Sequence, residues 1–275
     1  MAKIGLATID SHLATAIRTM IVLVFAWLMV FIVGSQNDIW YVESSTWIFL
    51  ILSGLATGGS WLCYFRALQL GNVNRVVPID KSSTILTMIM AFIFLREPMD
   101  FFTVLGMIFI GIGTWLMLKL SKNTENEKGI NEKESNQSWL FFAIMAAVFA
   151  GLTAILGRVG IIYVEANLGT AIRTLAVVPM SWIMVFITKG QSKIVKVDIK
   201  SWIFLILSGV ATGASWLLFY NALQLGNAMH VVPIDKLSIV FTMVFAGLFL
   251  SEKFSKRSLI GLVLLTFGTL LPVFL

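Results

Sequence analysis

The sequence predicts an all-α integral membrane protein built from two inverted-topology repeats of transmembrane helices. The chain is 58% hydrophobic and 12% charged, with a mean hydropathy of +0.92, whereas a soluble domain carries about 25% charged residues. Long apolar runs recur along the chain, and each can cross a hydrocarbon core about 30 Å thick as a helix. These runs do not alternate apolar with polar residues, as the strands of a membrane barrel do.

Nine membrane spans are expected. In chain order they cover residues 13–33, 47–69, 76–95, 101–118, 139–157, 168–188, 202–224, 231–250 and 258–275. The segment between the fourth and fifth spans is polar and charged, which predicts a solvated linker. Cys63 is the only cysteine, so an intrachain disulfide and a cysteine-based metal cluster are excluded.

An internal repeat organises these spans. WIFLILSGLATGGSWL at 47–62 returns as WIFLILSGVATGASWL at 202–217, and TAIRT and ALQLGN also recur, always 155 positions later. We therefore expect a first repeat over 1–118, a linker over 119–138 and a second repeat over 139–275. A duplicated unit of this kind is a common way to build a transporter.

The two copies are unequal, because the second begins with a span whose partner would precede residue 1. The sequence therefore predicts four helices in the first repeat and five in the second. Either a helix was lost in evolution, or the chain as written starts at an internal methionine. We favour the internal start, because losing a helix would damage the pseudo-symmetry.

Lysine and arginine outside the spans predict the topology. They concentrate on one side of the expected arrangement, which is the cytoplasmic side by the positive-inside rule. This places the linker in the cytoplasm and the chain in the plasma (inner) membrane. Loop 34–46 has no basic residue, whereas its counterpart at 190–201 has three lysines. Equivalent loops are therefore expected on opposite sides of the membrane, as in an inverted repeat.

The motif VVPIDK occurs at 76–81 and again at 231–236. Proline is favoured in the first turn of a helix, where its missing N–H would be unpaired anyway. Pro78 and Pro233 are therefore expected to mark helix starts, with the aspartate and lysine in the first turns. Glu97 ends the first of these spans and is expected to be solvated.

Charged residues within the spans form the candidate site, because each costs roughly 2.5–3.5 kcal/mol to insert. The spans hold Arg18, Arg66, Asp80, Lys81, Arg173, Asp235 and Lys236. All except Arg66 have an equivalent in the other copy, and these six are the candidate site residues. Adjacent helix residues point about 100° apart, so each aspartate is not expected to pair with the lysine that follows it. The two arginines are the expected partners of the aspartates.

Two interpretations of these charges stay open. In the first, Asp–Arg pairs hold helices together near the interface while the lysines extend to the headgroups. In the second, the charges line a polar cavity for a solute or a coupling proton. The four cations against two carboxylates then favour an anionic or zwitterionic solute, and Asp80 and Asp235 are candidate proton or ion-pair switches.

Two segments rich in small residues, SGLATGGSW and SGVATGASW, are expected to permit close helix packing; lining a cavity with a kinked helix is the alternative. Trp61 and Trp216 lie beside these segments. They either pack against other helices or offer a face to a substrate ring, and both roles remain open.

Taken together, TAIRT, the SWLCYFRALQLGN segment, VVPIDK, a helix ending FLxE and a glycine-rich last span resemble the EamA-domain family of the drug/metabolite transporter superfamily. The resemblance covers nearly all of the chain outside the linker. It implies ten helices in two inverted five-helix units around a central cavity. It also implies alternating access and efflux of metabolites or drugs, often coupled to protons.

We therefore expect a secondary-active exporter of a small solute. No catalytic residues, cofactor or metal site are expected, and the net charge of +6 is attributed to topology rather than to nucleic acid. The expected partners are the solute, the lipid bilayer and coupling protons, and a homodimer is left open. The alternatives are a non-transporting scaffold or partner subunit and, less favoured, an integral membrane enzyme.

Overall fold

The computed structural model describes residues 11–70, 76, 79–118, 138–188, 199–249 and 256–274. Within these ranges all regular secondary structure is helical. The helices are α1 (Ser11–Val33), a 3-10 helix (Ser35–Tyr41), α2 (Ser44–Leu70), α3 (Ser83–Leu95), α4 (Phe101–Leu118), α5 (Ser138–Ile161), α6 (Ala166–Ile187), α7 (Ile199–Leu225), α8 (Ala228–Asp235), α9 (Ser238–Phe249) and α10 (Lys256–Phe274).

Six of the described helices are long and apolar enough to cross a membrane, namely α1, α2, α5, α6, α7 and α10. The helix α4 is apolar over the slightly shorter stretch Phe101–Met117. These seven helices lie where the sequence predicts spans. The two remaining predicted spans are those that carry VVPIDK, and the structure shows why they differ.

The second VVPIDK segment does not lie in one continuous helix. After α8 ends at Asp235, Lys236 and Leu237 form a turn, and α9 follows. The amide of Lys236 donates to the carbonyl of Pro233 at 2.9 Å. The amide of Leu237 donates to the carbonyl of Ile234, also at 2.9 Å. These hydrogen bonds reach back three residues instead of four, as in a 3-10 helix, so the α-helix is interrupted directly after the aspartate.

The first VVPIDK segment is interrupted at the equivalent position. Ser82 forms a turn between helical residues 79–81 and the start of α3. Its amide donates to the carbonyl of Ile79 at 3.1 Å, and its hydroxyl donates to the same carbonyl at 2.6 Å. The two repeats therefore share a turn at equivalent positions, Ser82 and Leu237, and in the second repeat the turn also includes Lys236.

The prediction that Pro233 starts a helix is wrong. α8 begins at Ala228, after Asn227 in an extended conformation, and Pro233 is buried inside the helix. Proline has no amide hydrogen to donate to the carbonyl of Met229. It therefore weakens α8 just before the break, and the helix obtains its N-terminal cap from another segment. Pro78 lies outside the described residues.

The chain forms two compact units, and each combines segments from both sequence repeats. Unit 1 contains Met1–Gly59 and Leu156–Leu225, and unit 2 contains Ser60–Ile155 and Gly226–Leu275. In unit 1, α1 packs against α6 and α7. In unit 2, α4 packs against α10, and α3 packs against α8.

Glycines of the small-residue segments bring the helices of unit 1 together. A Cβ atom placed on Gly54 of α2 would lie 2.6 Å from the carbonyl oxygen of Arg173 on α6, and one on Gly58 would lie 2.6 Å from Met180 Cγ. These distances leave no room for a side chain at either glycine. The structure thus confirms the close packing that the small residues predict.

An equivalent contact is present between α7 and α1, at two glycines that lie 155 residues after those of α2. A Cβ atom on Gly209 would lie 2.6 Å from Ile21 Cγ2, and one on Gly213 would lie 2.7 Å from Phe25 Cδ1. Gly209 and Gly213 are the repeat equivalents of Gly54 and Gly58. Their partners on α1 are the repeat equivalents of residues on α6 that contact those two glycines. Unit 1 therefore contains two pseudo-equivalent helix pairs.

In unit 2, the last helices of the two repeats, α4 and α10, pack against each other. A Cβ atom on Gly106 of α4 would lie 2.5 Å from the carbonyl oxygen of Gly268 on α10, and one on Gly113 would lie 2.6 Å from that of Gly261. From Gly106 to Gly113 along α4, the facing residue on α10 changes from Gly268 back to Gly261, so the two helices run antiparallel. Antiparallel packing of equivalent helices is what the predicted inversion requires.

We predict that Gly113→Ala lowers the melting temperature of the purified protein. Its added methyl group would meet the Gly261 carbonyl and, at 2.7 Å, the backbone nitrogen of Leu265, and overpacking of this kind costs about 1–3 kcal/mol. Gly111→Ala is the matched control on α4, because its methyl group would meet only the end of the Ile85 side chain, at 3.2 Å. Equal melting temperatures for the two variants would contradict the close approach of α4 and α10.

Candidate functional site

The most buried charge of unit 1 in the described residues is the Arg173 side chain on α6, which is 2% exposed. Two hydroxyls of α2 hold it. Its Nε donates to Ser53 Oγ at 3.0 Å, and its Nη2 donates to Thr57 Oγ1 at 2.6 Å. Ser53 and Thr57 lie one turn apart on α2 and face α6 beside the glycine contact, so the close approach of the helices fixes the guanidinium.

Two aromatic rings of α7 cover the guanidinium. Arg173 Cζ lies 5.0 Å from the centroid of the Trp216 ring and 4.6 Å from that of the Tyr220 ring. Both separations are within cation–π range. Trp216 and Tyr220 are four residues apart and so share one face of α7. Gly157 of α5 is also close, because a Cβ atom there would lie 2.5 Å from the Tyr220 ring and 3.1 Å from Ser53 Oγ.

The Arg173 site has no negative charge of its own in the part of the chain that the structure describes. The hydroxyls and rings that contact the guanidinium are formally neutral, and Nη1 is buried with no hydrogen-bond partner among the described residues. The expectation that Arg173 pairs with an aspartate is therefore wrong. The expectation failed because it considered only charged partners and ignored the hydroxyls that face α6.

The structure brings together two of the predicted site residues in unit 1, Arg173 and Trp216. Sequence reasoning missed Tyr220, Ser53 and Thr57. The overlooked signal was helical spacing. Tyr220 lies four residues after Trp216, and Thr57 lies four residues after Ser53, so each pair shares one face of its helix. Arg18, the repeat equivalent of Arg173, is half-buried on α1.

Unit 2 holds both Asp-Lys pairs. Lys81 Nζ lies 4.0 Å from Asp80 Oδ2, and Lys236 Nζ lies 3.5 Å from Asp235 Oδ2. The prediction that neighbouring residues do not pair is thus wrong. It assumed a continuous helix, whereas the helix breaks next to each lysine and the long lysine side chain folds back to the carboxylate.

The two copies of the motif lie on neighbouring elements of unit 2. α8, which ends at Asp235, packs against α3, and Asp80 lies just before the start of α3. The four groups remain partly exposed, with Asp80 at 25% and Asp235 at 43%. Trp61, the remaining predicted site residue, is half-buried on α2.

Glu97 is buried rather than solvated, so the prediction for this residue is wrong. It is 7% exposed. Its Oε1 accepts the amide of Ala228 at 2.8 Å, and its Oε2 accepts the amide of Met229 at 2.9 Å. A carboxylate at this position caps the free amides and matches the dipole of α8. A residue of the first repeat therefore supplies the cap of the interrupted helix in the second.

Groups of three or more His, Cys, Asp or Glu side chains that could hold a metal ion are absent from the described ranges. The polar interactions described for the predicted site residues are ion pairs, hydrogen bonds and contacts with aromatic rings.

A comparison with family models matches residues 1–119 and 137–274 to the EamA-like transporter family. A Sinorhizobium sp protein named "Uncharacterized transporter in cobO 3'region" is 41% identical over 136 residues, which are 50% of this chain and 96% of that protein. The Bacillus subtilis (strain 168) protein "Uncharacterized transporter YxxF" is 22% identical over 197 residues, covering 68% of this chain and 58% of that protein.

Among the solved structures that are similar in fold is a crystal structure of a protein. Its TM-score with this chain is 0.74 at 15% sequence identity, and the match covers 99% of this chain and 92% of that chain. At this identity the likeness concerns the fold alone.

We predict that Glu97→Ala lowers the melting temperature, because two buried backbone amides lose their acceptors at about 1–3 kcal/mol for each unsatisfied group. Glu97→Gln retains one acceptor oxygen and is expected to have an intermediate effect. Thermal unfolding of the purified protein measures both. Glu43→Ala is the control, because Glu43 is exposed and its carboxylate accepts the hydroxyl of the nearby Ser45 at 3.2 Å instead of buried amides. A Glu97→Ala protein as stable as this control would show that the cap does not stabilise α8.

Proposed function

The chain belongs to the EamA-like transporter family, and we propose that it exports a small solute across the plasma membrane by alternating access. It is a multi-pass membrane transporter, and its family consists of transporters rather than enzymes. The solute, the direction of transport and the coupling ion belong to the proposal. So do the division into repeats at 1–118 and 139–275 and the cytoplasmic position of the linker.

The interruption of both VVPIDK helices carries the proposal. In secondary transporters, broken helices expose backbone groups and place charges where solutes and coupling ions bind. Here each break follows an aspartate that pairs with the next lysine. The antiparallel packing of α4 and α10 supports an inverted repeat, the architecture in which alternating access is common.

Energy for transport is proposed to come from an ion gradient. The sequence contains no GxxxxGK[ST] segment, the motif that binds ATP phosphates in P-loop proteins. Asp80 and Asp235 are the proposed switches, because protonation of either carboxylate would release its lysine. The freed lysine could then contact the other carboxylate or an anionic group of the solute.

The solute is proposed to be anionic or zwitterionic. Arg18, Lys81, Arg173 and Lys236 exceed the two carboxylates of the VVPIDK motifs. The most buried of these cations, Arg173, has only neutral described partners. A solute that carries negative charge would balance this excess.

We predict that cells overproducing the chain enrich at least one metabolite in the medium, and that Asp80→Asn combined with Asp235→Asn abolishes the enrichment. An asparagine amide does not bind and release a proton as a carboxylate does, and it carries no charge to pair with the neighbouring lysine. Untargeted mass spectrometry of culture medium measures the difference from cells with an empty vector.

The control is Asp38→Asn, because Asp38 is exposed in the 3-10 helix between α1 and α2. Membrane levels of all proteins are matched before the comparison. Export that persists at the wild-type rate in the double variant would rule out the aspartates as switches. No enrichment by the wild-type chain would overturn constitutive export.

A further inference from the structure

We propose that Nη1 of Arg173 binds a carboxylate group of the transported solute. This inference rests on the proposed function and names the chemical class that the transporter accepts. It starts from one observation, namely a guanidinium that is 2% exposed, has one nitrogen without a hydrogen-bond partner among the described residues, and contacts only neutral groups there.

A purely structural role does not explain this arrangement. The helix α2 already packs against α6 through glycines, and α6 packs against α7. A neutral side chain would fill the same volume without a buried charge. An isolated buried cation is strongly unfavourable unless a counter-charge completes it. Charged residues within membrane spans accordingly mark solute or ion sites.

The guanidinium nitrogens that have protein partners, and the one that has none, indicate which ligand would fit. Nε donates to Ser53 and Nη2 donates to Thr57, which fixes the orientation of the guanidinium. Nη1, which carries two N–H groups, remains for a ligand. One free nitrogen and one positive charge match a single carboxylate. A phosphate dianion carries more charge and more acceptor oxygens than this site balances.

The proposed route to the guanidinium lies on the Trp216 side. Ser53 is fully buried, and Tyr220 is 3% exposed, whereas Trp216 is only half-buried. Among the groups that contact Arg173, the Trp216 ring is thus the one with the most accessible surface. A small shift of this ring would open the guanidinium to a solute while Tyr220 and the hydroxyls hold it in place.

The test uses purified full-length protein in detergent, with formate and benzoate as the carboxylate probes. Sodium chloride of equal ionic strength and the neutral analogue benzamide are the controls. Thermal unfolding is measured for wild type, Arg173→Met and the matched variant Arg66→Met, since Arg66 is exposed on α2 and its described hydrogen bond is to Gln69. Ligands that bind only the folded state raise the melting temperature.

We expect at least one carboxylate to raise the melting temperature of wild type and of Arg66→Met by about 2 °C or more. Arg173→Met should fold and show no such rise, since the methionine fills a similar volume without charge. If that variant does not fold, Arg173→Lys replaces it and should give a smaller rise than wild type. Equal responses of wild type and the Arg173 variant, or no response of wild type to either carboxylate, would overturn the proposal.

This binding assay is independent of export. A carboxylate response without metabolite export would leave the Arg173 site standing and remove the proposed function. Export of a neutral or cationic solute, without a carboxylate response, would support the proposed export and overturn the Arg173 site.

Discussion

The close approach of α2 to α6 at Gly54 and Gly58 is the constraint on which the Arg173 site depends. Because neither glycine has a side chain, the backbone of α2 lies against α6, and the adjacent residues Ser53 and Thr57 reach the guanidinium. A larger residue at either glycine would separate the helices and remove both hydroxyls together. Helix packing and charge stabilisation are thus one arrangement, and the aromatic face of α7 completes it.

The two repeats share this scaffold and most of its polar groups. The glycine contacts recur at equivalent positions in both helix pairs of unit 1, which preserves the backbone geometry. The residue types that surround Arg173 recur as well, since the positions equivalent to Ser53, Thr57 and Trp216 hold serine, threonine and tryptophan. Two differences distinguish the copies. Arg173 is buried while Arg18 is half-buried, and Tyr220 corresponds to Phe65 in the first repeat.

The sequence predicts the features that follow from hydropathy and repetition, namely the helix positions and the close packing at small residues. It does not predict two other kinds of feature. The helix breaks rest on three-residue hydrogen bonds that hydropathy does not reveal. Glu97 is buried because it caps α8, 131 residues later. The pairing of Asp235 with Lys236 follows in turn from the break, so an error in helix continuity became an error in charge pairing.

In the proposed transport cycle, the buried guanidinium of Arg173 recognises an anion of the solute. The most direct measurement is a crystal structure of the protein soaked with 2-bromobenzoate, whose aryl bromine does not alkylate the protein and whose anomalous signal locates the bound acid. A bromine peak is expected beside Arg173, with a carboxylate oxygen about 3 Å from Nη1. Well-ordered bromine at other positions, with Nη1 unoccupied or paired to a side chain of the protein itself, would contradict it.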